Sequence, residues 1–156
     1  MIKLPKIENS FEFENSFYFT CNNDRISKLL IQYELFLKIK DLPGEIIECG
    51  VFKGTSLIRF ATFRELYKKR IKKIIGFDTF GKFPSAGFSK DTKLRKKFVE
   101  QSGNQSISTN QLEKILKQKK IGKNVELVKG DITKTIPNYL QKHPRLKISL
   151  LNLDVD

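Results

Sequence analysis

Two glycines and several acidic residues stand where short apolar runs end, and their spacing indicates a ligand site. The run "IIECG" places Glu48 and Gly50 at the end of one apolar stretch, and Gly54 follows four residues later in "VFKGTS". Glycines at these positions let a ligand approach the backbone closely. Asp78 ends a second run, "KKIIGFD", where its carboxylate could accept hydrogen bonds from two ribose hydroxyls.

Two common phosphate-binding patterns do not fit this turn. A P-loop needs GxxxxGK[ST], and "GVFKGTS" has neither that spacing nor the lysine after its last glycine. A nicotinamide dinucleotide site would have GxGxxG with an acidic residue about 20 positions on, and Asp78 lies further away than that. A turn preceded by Glu48 suits a cationic ligand with an amino acid end. S-adenosylmethionine has these parts.

Each of these residues also has a purely structural interpretation. Gly50 and Gly54 could form an ordinary strand-to-helix turn, and Asp78 could cap the turn that follows it. Asp131, after Gly130, could cap the next helix, a role compatible with contact to an adenine. Both interpretations stay open when each motif is taken alone.

The elements that would position these residues alternate along the chain. Four apolar runs are predicted to be strands: "EIIECG", "KKIIGFD", "NVELVKGD" and "LKISLLNLDVD". Helical spacing or capping predicts five helices: 24–40, "TSLIRFATFRELYKKR", "DTKLRKKFVEQ", "STNQLEKILKQKK" and "IPNYLQK". We expect Asp24 to cap the first, Ser108 or Thr109 the fourth, and Pro137 to lie in the first turn of the fifth. "TFGKFPSAGFSKD" is predicted to be a long loop.

Aromatic and aliphatic residues are assigned mainly to the core. Leu66 is expected on the apolar face of the second helix, together with Leu57, Ile58, Phe60 and Ala61. Five phenylalanines are expected to be core residues rather than a stacking platform: Phe52, Phe60, Phe63, Phe77 and Phe98. Phe80 and Phe83, in the loop, could serve either purpose.

Buried strands that alternate with helices predict an α/β fold, a parallel sheet with helices on both faces. In such sheets, ligands bind beyond the carboxyl ends of the strands, where strand order reverses. The glycine turn and the acidic residues all lie at such ends. The fold class and the candidate site therefore agree.

Composition sets the remaining limits. The 156 residues suit one domain, and 30 Lys+Arg against 17 Asp+Glu give a net charge of +13. The lysines are spread over helix faces and turns, so we do not expect nucleic acid as a partner. Cys21 and Cys49 are too isolated for a metal cluster or a disulfide framework. No apolar run is long enough for a membrane span or a signal peptide, and we expect a cytoplasmic protein.

Four segments together resemble a known family. "IIECGVFKGTS", "IIGFDTFGKFP", "ELVKGDITKTIP" and "ISLLNLDVD", in this order, look like the macrocin O-methyltransferase (TylF-type) family of class I S-adenosylmethionine-dependent methyltransferases. The resemblance covers roughly residues 25–156 and implies a Rossmann-like S-adenosylmethionine-binding domain there, with strand order 3-2-1-4. Residues 1–24 would be an N-terminal extension. Members methylate sugar hydroxyls on macrolides or related glycosylated compounds and use a divalent metal, usually Mg²⁺.

The resemblance also implies roles for particular residues. The expected cofactor-binding residues are Glu48, Gly50, Gly54, Thr55, Ser56, Asp78, Thr79, Asp131 and Ile132. Asp154 and Asp156, which alternate with apolar residues and share one strand face, are the expected metal ligands. No catalytic base is assigned. His143 precedes the amino end of a strand, and we expect it to be a surface residue on the wrong side of the sheet.

Family members continue beyond the segment that ends here at Asp156, so we expect this chain to correspond to the N-terminal part of such an enzyme. Three functions stay open: an O-methyltransferase of a sugar hydroxyl on a small molecule, which is favoured; a non-catalytic fragment that at most binds the cofactor; and a nucleic-acid methyltransferase, for which no base-reading motif is found. The acceptor, the metal and a homo-oligomeric state are left undecided by the sequence.

Overall fold

The structure is a computed structural model that describes residues 2–67, 72–82 and 91–155, with only the backbone of 91–95. A short 3-10 turn, Ile7–Asn9, precedes the helices. The helices are α1 Ser10–Thr20, α2 Asn23–Ile39, α3 Thr55–Tyr67, α4 Asp91–Ser102, α5 Thr109–Gln118 and α6 Ile132–Lys142. The strands are β1 Glu45–Cys49, β2 Ile74–Asp78, β3 Val125–Lys129 and β4 Ile148–Leu153. Phe83 and Asp156 lie outside the described residues, as does most of the predicted loop.

The four described strands form one parallel sheet in the order β3-β2-β1-β4. This order confirms the predicted one, and it places the carboxyl ends of all four strands at one edge. The chain returns to the centre after β3 and adds β4 beside β1, so strand order reverses next to the glycine turn. The topology alone therefore brings Gly50, Asp78, Gly130 and Asp154 to the same edge.

Two apolar clusters cover the two faces of the sheet. The larger packs α2, α3 and α5 on one face, with Leu57, Phe60 and Leu112 almost completely buried. The smaller packs Ile75 and Phe77 of β2 against α6. Successive strand residues point to opposite faces, so continuous apolar runs become buried on both sides.

Buried cations tie the opposite, amino-terminal edge together. The Arg64 guanidinium, on α3, donates to the backbone oxygens of Lys72 and Ile121 at 2.9 and 2.8 Å. The Lys72 ammonium donates to the carbonyl oxygens of Leu42 and Gly44. Charged donors on backbone carbonyls satisfy groups that the strand ladders leave unpaired. This edge is held by structural contacts, and the opposite edge is the one that opens to solvent.

Among the local predictions, those for Asp24, Pro137 and Leu66 were wrong, and that for Ser108 was confirmed. Asn22, not Asp24, caps α2, because its side-chain oxygen accepts from the Arg25 backbone N–H at 3.2 Å. Ser108 caps α5 in a reciprocal capping box with Gln111, as one of the two alternatives predicted. Asp131 caps α6, which begins at Ile132, so Pro137 lies inside the helix rather than in its first turn. Leu66 was expected on the buried face of α3 and is instead exposed.

Two parts of the described fold leave apolar side chains exposed. On β4, Leu151 and Leu153 are about half exposed or more, although they pair with Ile47 and Cys49 on the sheet face that carries α6. Residues 1–24, predicted only as an extension, contain α1, which has no buried residue and exposes Phe11 and Phe19. Among the described residues, no helix combines the length and the apolar character that crossing a bilayer requires.

Candidate functional site

The glycine turn after β1 forms the floor of the site. Gly50 has a φ of +88°, and its N–H donates to the Phe77 carbonyl at 2.9 Å. The Asp154 N–H donates to the carbonyl of Cys49 on the other side, also at 2.9 Å. A Cβ on Gly50 would lie 2.0 Å from the Asp154 carbonyl oxygen. Glycine is therefore required here both by the positive φ and by the approach of the chain after β4.

Asp78 connects three loops at the end of β2. One carboxylate oxygen accepts from the Phe52 backbone N–H at 2.9 Å, and the other accepts from the Phe80 N–H at 2.6 Å. Its backbone carbonyl accepts from the Gly130 N–H at 2.9 Å. A carboxylate has about four lone-pair sites, so acceptor capacity remains after these bonds. The side chain is nearly buried and opens onto the cleft.

Asp131 caps α6, which was the structural interpretation left open for it. Its Oδ1 accepts from the Thr133 N–H at 2.9 Å and from the Thr133 hydroxyl at 2.7 Å. The bond from the hydroxyl, followed by the one from the backbone, lowers the pKa of Asp131 below its ordinary value. The residue is exposed and lines the cleft together with Ile132.

One cleft of about 420 Å³ brings most of the predicted site residues together. The predicted residues that line it are Gly50, Thr55, Ser56, Asp78, Thr79, Asp131, Ile132 and Asp154. Gly54 is not among them, because it packs towards Leu112 beneath α3. Glu48 lies below the floor, with its side chain almost fully buried. Asp156 lies outside the described residues.

Glu48 is a buried carboxyl group with incomplete hydrogen bonding. Its Oε1 accepts from the Asn152 amide at 3.3 Å, and its Oε2 has no partner in the described structure. Burial, and then the neighbouring Asp154 carboxylate, raise the pKa of Glu48 to about 8. The Asn152 hydrogen bond and the charge of Lys28 act in the opposite direction, while Asp78 adds to the rise. A carboxyl group held in this way can ionise when a cation comes close.

The raised pKa predicts that Glu48 lowers the stability of the free chain as pH rises. The unfolded group ionises near 4.5 and the folded group near 8, so the free energy of unfolding should fall between these values. Above pH 8, Glu48→Gln should be more stable than the wild type by about a few kcal/mol, and below pH 4.5 the difference should vanish. Thermal unfolding from pH 4 to 9 measures this, with Glu34→Gln on the exposed surface of α2 as control. Parallel pH profiles for Glu48→Gln and the wild type would contradict it.

Sequence reasoning missed the basic wall of the cleft. Arg25 and Lys28, on the first two turns of α2, and Arg59, on α3, all line it. Lys28 forms an ion pair with Asp154 at 2.6 Å. A signal was available, because a helix joined by a short connection to β1 runs antiparallel to it and begins at the carboxyl edge. The first turns of this helix therefore lie near the site, where charged side chains such as Arg25 and Lys28 can reach it.

Two phenylalanines predicted to be core residues belong to the wall of the cleft instead. The rings of Phe52 and Phe98 lie 5.6 Å apart between centroids, and both side chains line the cleft. Phe60, Phe63 and Phe77 are buried as predicted. Phe80, for which both roles were open, is a core residue. Phe52 lies on the glycine turn and Phe98 on α4, and neither belongs to the two core clusters that contain the other phenylalanines.

The described residues do not form a site for a divalent metal. No group of three potential ligands among His, Cys, Asp and Glu comes together in the described part of the chain. Asp154, one predicted ligand, is already paired with Lys28. Hard divalent cations take six or more oxygen ligands, and waters alone would have to supply most of them here.

His143 is placed as expected, away from the cleft. It is exposed at the end of α6 and stacks on Tyr139, with 4.2 Å between ring centroids. The Tyr139 hydroxyl donates to Glu126 near the amino end of β3. His143 therefore lies at the edge of the sheet opposite the site.

The chain is similar to macrocin O-methyltransferases in sequence and to solved methyltransferases in structure. The family model for macrocin-O-methyltransferase (TylF) matches residues 21–156. No curated protein is similar enough to count as a match. A solved structure of CalS11, described as a calicheamicin methyltransferase, shares 25% identity with a TM-score of 0.60 and is aligned over 94% of this chain. An apo structure of CalS11, described as a TDP-rhamnose 3'-O-methyltransferase, shares 28% identity over 93% of this chain, with a TM-score of 0.58.

A third structure supports the fold alone. The O-methyltransferase NovP has a TM-score of 0.64 at 18% identity, over 85% of this chain. The chain spans 60%, 57% and 53% of the lengths of these three solved chains. The parallel sheet in this order, together with the likeness to these solved methyltransferases, identifies a Rossmann-like methyltransferase fold. The chain belongs to the TylF macrocin-O-methyltransferase family.

Proposed function

We propose that this chain is the cofactor-binding part of an S-adenosylmethionine-dependent O-methyltransferase that acts on a sugar hydroxyl of a small molecule. The family and the O-methyltransferases among the similar structures support the reaction class. The acceptor class rests on the description of CalS11 as a TDP-rhamnose 3'-O-methyltransferase and on the macrocin substrate in the family's name.

The observation that carries the proposal is Asp78 at the floor of the cleft. Its carboxylate is fixed by two backbone N–H groups and retains acceptor capacity towards the cleft, as a group that binds two ribose hydroxyls must. Gly50 leaves room beside it, and the unpartnered Glu48 Oε2 lies just below. This arrangement suits a ligand with a ribose, a positive centre and an amino group.

Once bound, the cofactor would supply a methyl group on a sulfonium centre, and transfer requires the acceptor oxygen in line with it. The contribution of this chain is binding and orientation. Asp78 would hold the ribose, and Asp131 and Ile132 would border the adenine. The pair Phe52 and Phe98 would cover part of the cleft and reduce its exposure to water.

The role proposed for this chain does not require a metal. The described carboxylates do not assemble a divalent site, so Mg²⁺ stays an expectation of the family resemblance alone. None of the described residues is assigned as a general base, since the only histidine lies at the wrong edge. Cofactor binding is therefore the activity that the chain itself can be tested for.

Calorimetric titration of the chain with S-adenosylhomocysteine tests the proposal. We expect binding in the micromolar range, unchanged by magnesium, because the described residues do not form a metal site beside the cofactor. NAD is the control ligand: it shares the adenosine but lacks the amino acid end. A folded sample that binds neither ligand, or binds both equally well, would overturn the assignment.

A further inference from the structure

The helix α1 presents an aromatic face that the rest of the described chain does not cover. Phe11 and Tyr18 lie two turns apart on one side of the helix, with Phe19 beside them. Phe11 is 76% exposed and Phe19 is 84% exposed. Isolated helices shorter than about 12 residues are marginal in water. An 11-residue helix without a buried residue therefore gains stability from packing against an outside surface.

Carboxylates border this aromatic face. Glu12 and Glu14 fall on either side of the line from Phe11 to Tyr18, and both are exposed. Neither glutamate forms an ion pair within the described part of the chain. Residues 7–20 contain three glutamates and no lysine or arginine, in a chain whose net charge is +13. The surface that complements this helix has an apolar floor and a basic rim.

A lysine-rimmed groove of about 420 Å³ lies between the end of α5 and β3, the edge strand of the described sheet. Three apolar side chains form its floor: Leu116, Val125 and Leu127. Three exposed lysines border it: Lys117, Lys120 and Lys123. Among the described residues that line the groove, Glu113 is the only acidic one, and no ion pair forms with the three lysines. The groove therefore has the properties that α1 requires of a partner.

The α1 helix of the same copy is held at the other edge of the sheet. The Ile2 carbonyl oxygen accepts from the Gln111 side-chain amide at 2.7 Å, where α5 begins beside the glycine turn. Only Cys21 and Asn22 separate α1 from α2, which begins beside the cleft. The lysine-rimmed groove adjoins Val125, the first residue of β3, and so lies towards the amino edge. A second copy is therefore better placed than the chain's own helix to fill it.

We propose that α1 of one copy docks in the lysine-rimmed groove of a second copy. Phe11, Tyr18 and Phe19 would lie on its apolar floor, and Glu12 and Glu14 would pair with its lysines. A two-fold axis between the copies allows both contacts at once and closes the assembly as a dimer. This surface lies away from the cleft, and the inference does not depend on the proposed function.

The test exchanges the charges of the two surfaces. Sedimentation equilibrium of the wild type is expected to show a dimer with a dissociation constant in the micromolar range. Glu12→Lys with Glu14→Lys, and separately Lys117→Glu with Lys120→Glu, place like charges across the contact and should each weaken the dimer roughly 10-fold or more. An equimolar mixture of the two double variants should regain the wild-type affinity, because each copy then meets complementary charge at both contacts.

Two further variants separate docking from general effects of charge and folding. Lys134→Glu with Lys142→Glu, on the exposed side of α6, makes the same change in net charge away from both surfaces and should leave the dimer intact. Phe11→Ala should weaken the dimer roughly 10-fold or more, because it removes an aromatic anchor from the contact. Its melting temperature, measured at a concentration where the wild type is monomeric, should match that of the wild type, since α1 has no buried residue.

Three outcomes would overturn the proposal. The first is a folded wild type that stays monomeric up to about 1 mM. The second is a dimer that Phe11→Ala and both charge-reversed variants leave intact, or that the mixture of variants does not restore. The third is cosedimentation of the monomeric wild type with vesicles of phosphatidylcholine and phosphatidylserine that Phe11→Ala abolishes, which would assign the aromatic face to a lipid surface. We expect no such binding, because Glu12 and Glu14 would repel anionic headgroups.

Discussion

Asp78→Ala is expected to weaken S-adenosylhomocysteine binding by about 100-fold or more. Hydrogen bonds to a charged group contribute about 1.5–3 kcal/mol each, and two ribose hydroxyls would lose theirs together. The substitution also frees the Phe52 and Phe80 N–H groups, which fix the glycine turn and the loop after β2. Calorimetry of the variant, alongside its thermal unfolding, measures both consequences.

The two consequences can be separated with a modified ligand. A 3'-deoxyribose analogue of S-adenosylhomocysteine should bind the wild type more weakly than the parent compound. Asp78→Ala should bind both compounds equally, because the group that senses the hydroxyl is gone. If the variant still prefers the parent compound as strongly as the wild type does, Asp78 is a structural residue of the turn and not the ribose ligand.

Gly50→Ala is expected to cause the largest loss of stability of any single change at the site. The new Cβ would lie 2.0 Å from the Asp154 carbonyl oxygen and 2.7 Å from its carbon, and backbone atoms on both sides would have to move. The φ of +88° adds strain, so the two effects together should cost roughly 4 kcal/mol or more. Denaturant unfolding measures this cost.

Gly103→Ala provides a matched control for the backbone strain. Gly103 has a φ of +82°, close to that of Gly50, but the nearest atom to its Cβ would be the Lys53 ammonium nitrogen at 3.9 Å. This variant should lose only about 1–2 kcal/mol, the cost of the left-handed conformation. Equal losses for the two variants would mean that β1 and the chain after β4 are not held together as closely as described.

The topology and the floor of the site could be predicted from the sequence because both follow from backbone rules. Uninterrupted apolar runs such as "IIECG" can be buried on both faces only in a covered parallel sheet. The carboxyl ends of parallel strands meet at one edge, which brought Gly50, Asp78 and Asp131 together without knowledge of any contact. The side chains that depend only on this edge were therefore found.

The walls of the site depend on helix rotation and on side-chain reach, which residue spacing does not determine. Arg59 reaches the cleft because Gln32, 27 positions earlier, fixes its guanidinium from another helix. Phe52 turns outward because its backbone φ is +50°. A prediction based on apolar character alone does not take this backbone conformation into account. Leu66 lies on the opposite side of α3 from Leu57 and is exposed, whereas Tyr67, the next residue, still packs against the core. The differences at Arg59 and Phe52 are therefore tertiary effects, and the one at Leu66 is an error in the helical period.

The pairing of β4 with β1 also sets the order in which the fold can assemble. Partners in β1 and β2, such as Ile46 and Ile74, are near neighbours along the chain compared with Glu45 and Ile148, which roughly one hundred residues separate. Closing the longer loop costs more chain entropy, and topologies rich in such contacts fold slowly. We therefore infer that β1, α3 and β2 associate early, and that β4 docks late. Until it does, the Glu48 side chain would remain hydrated, and the candidate site would not yet exist.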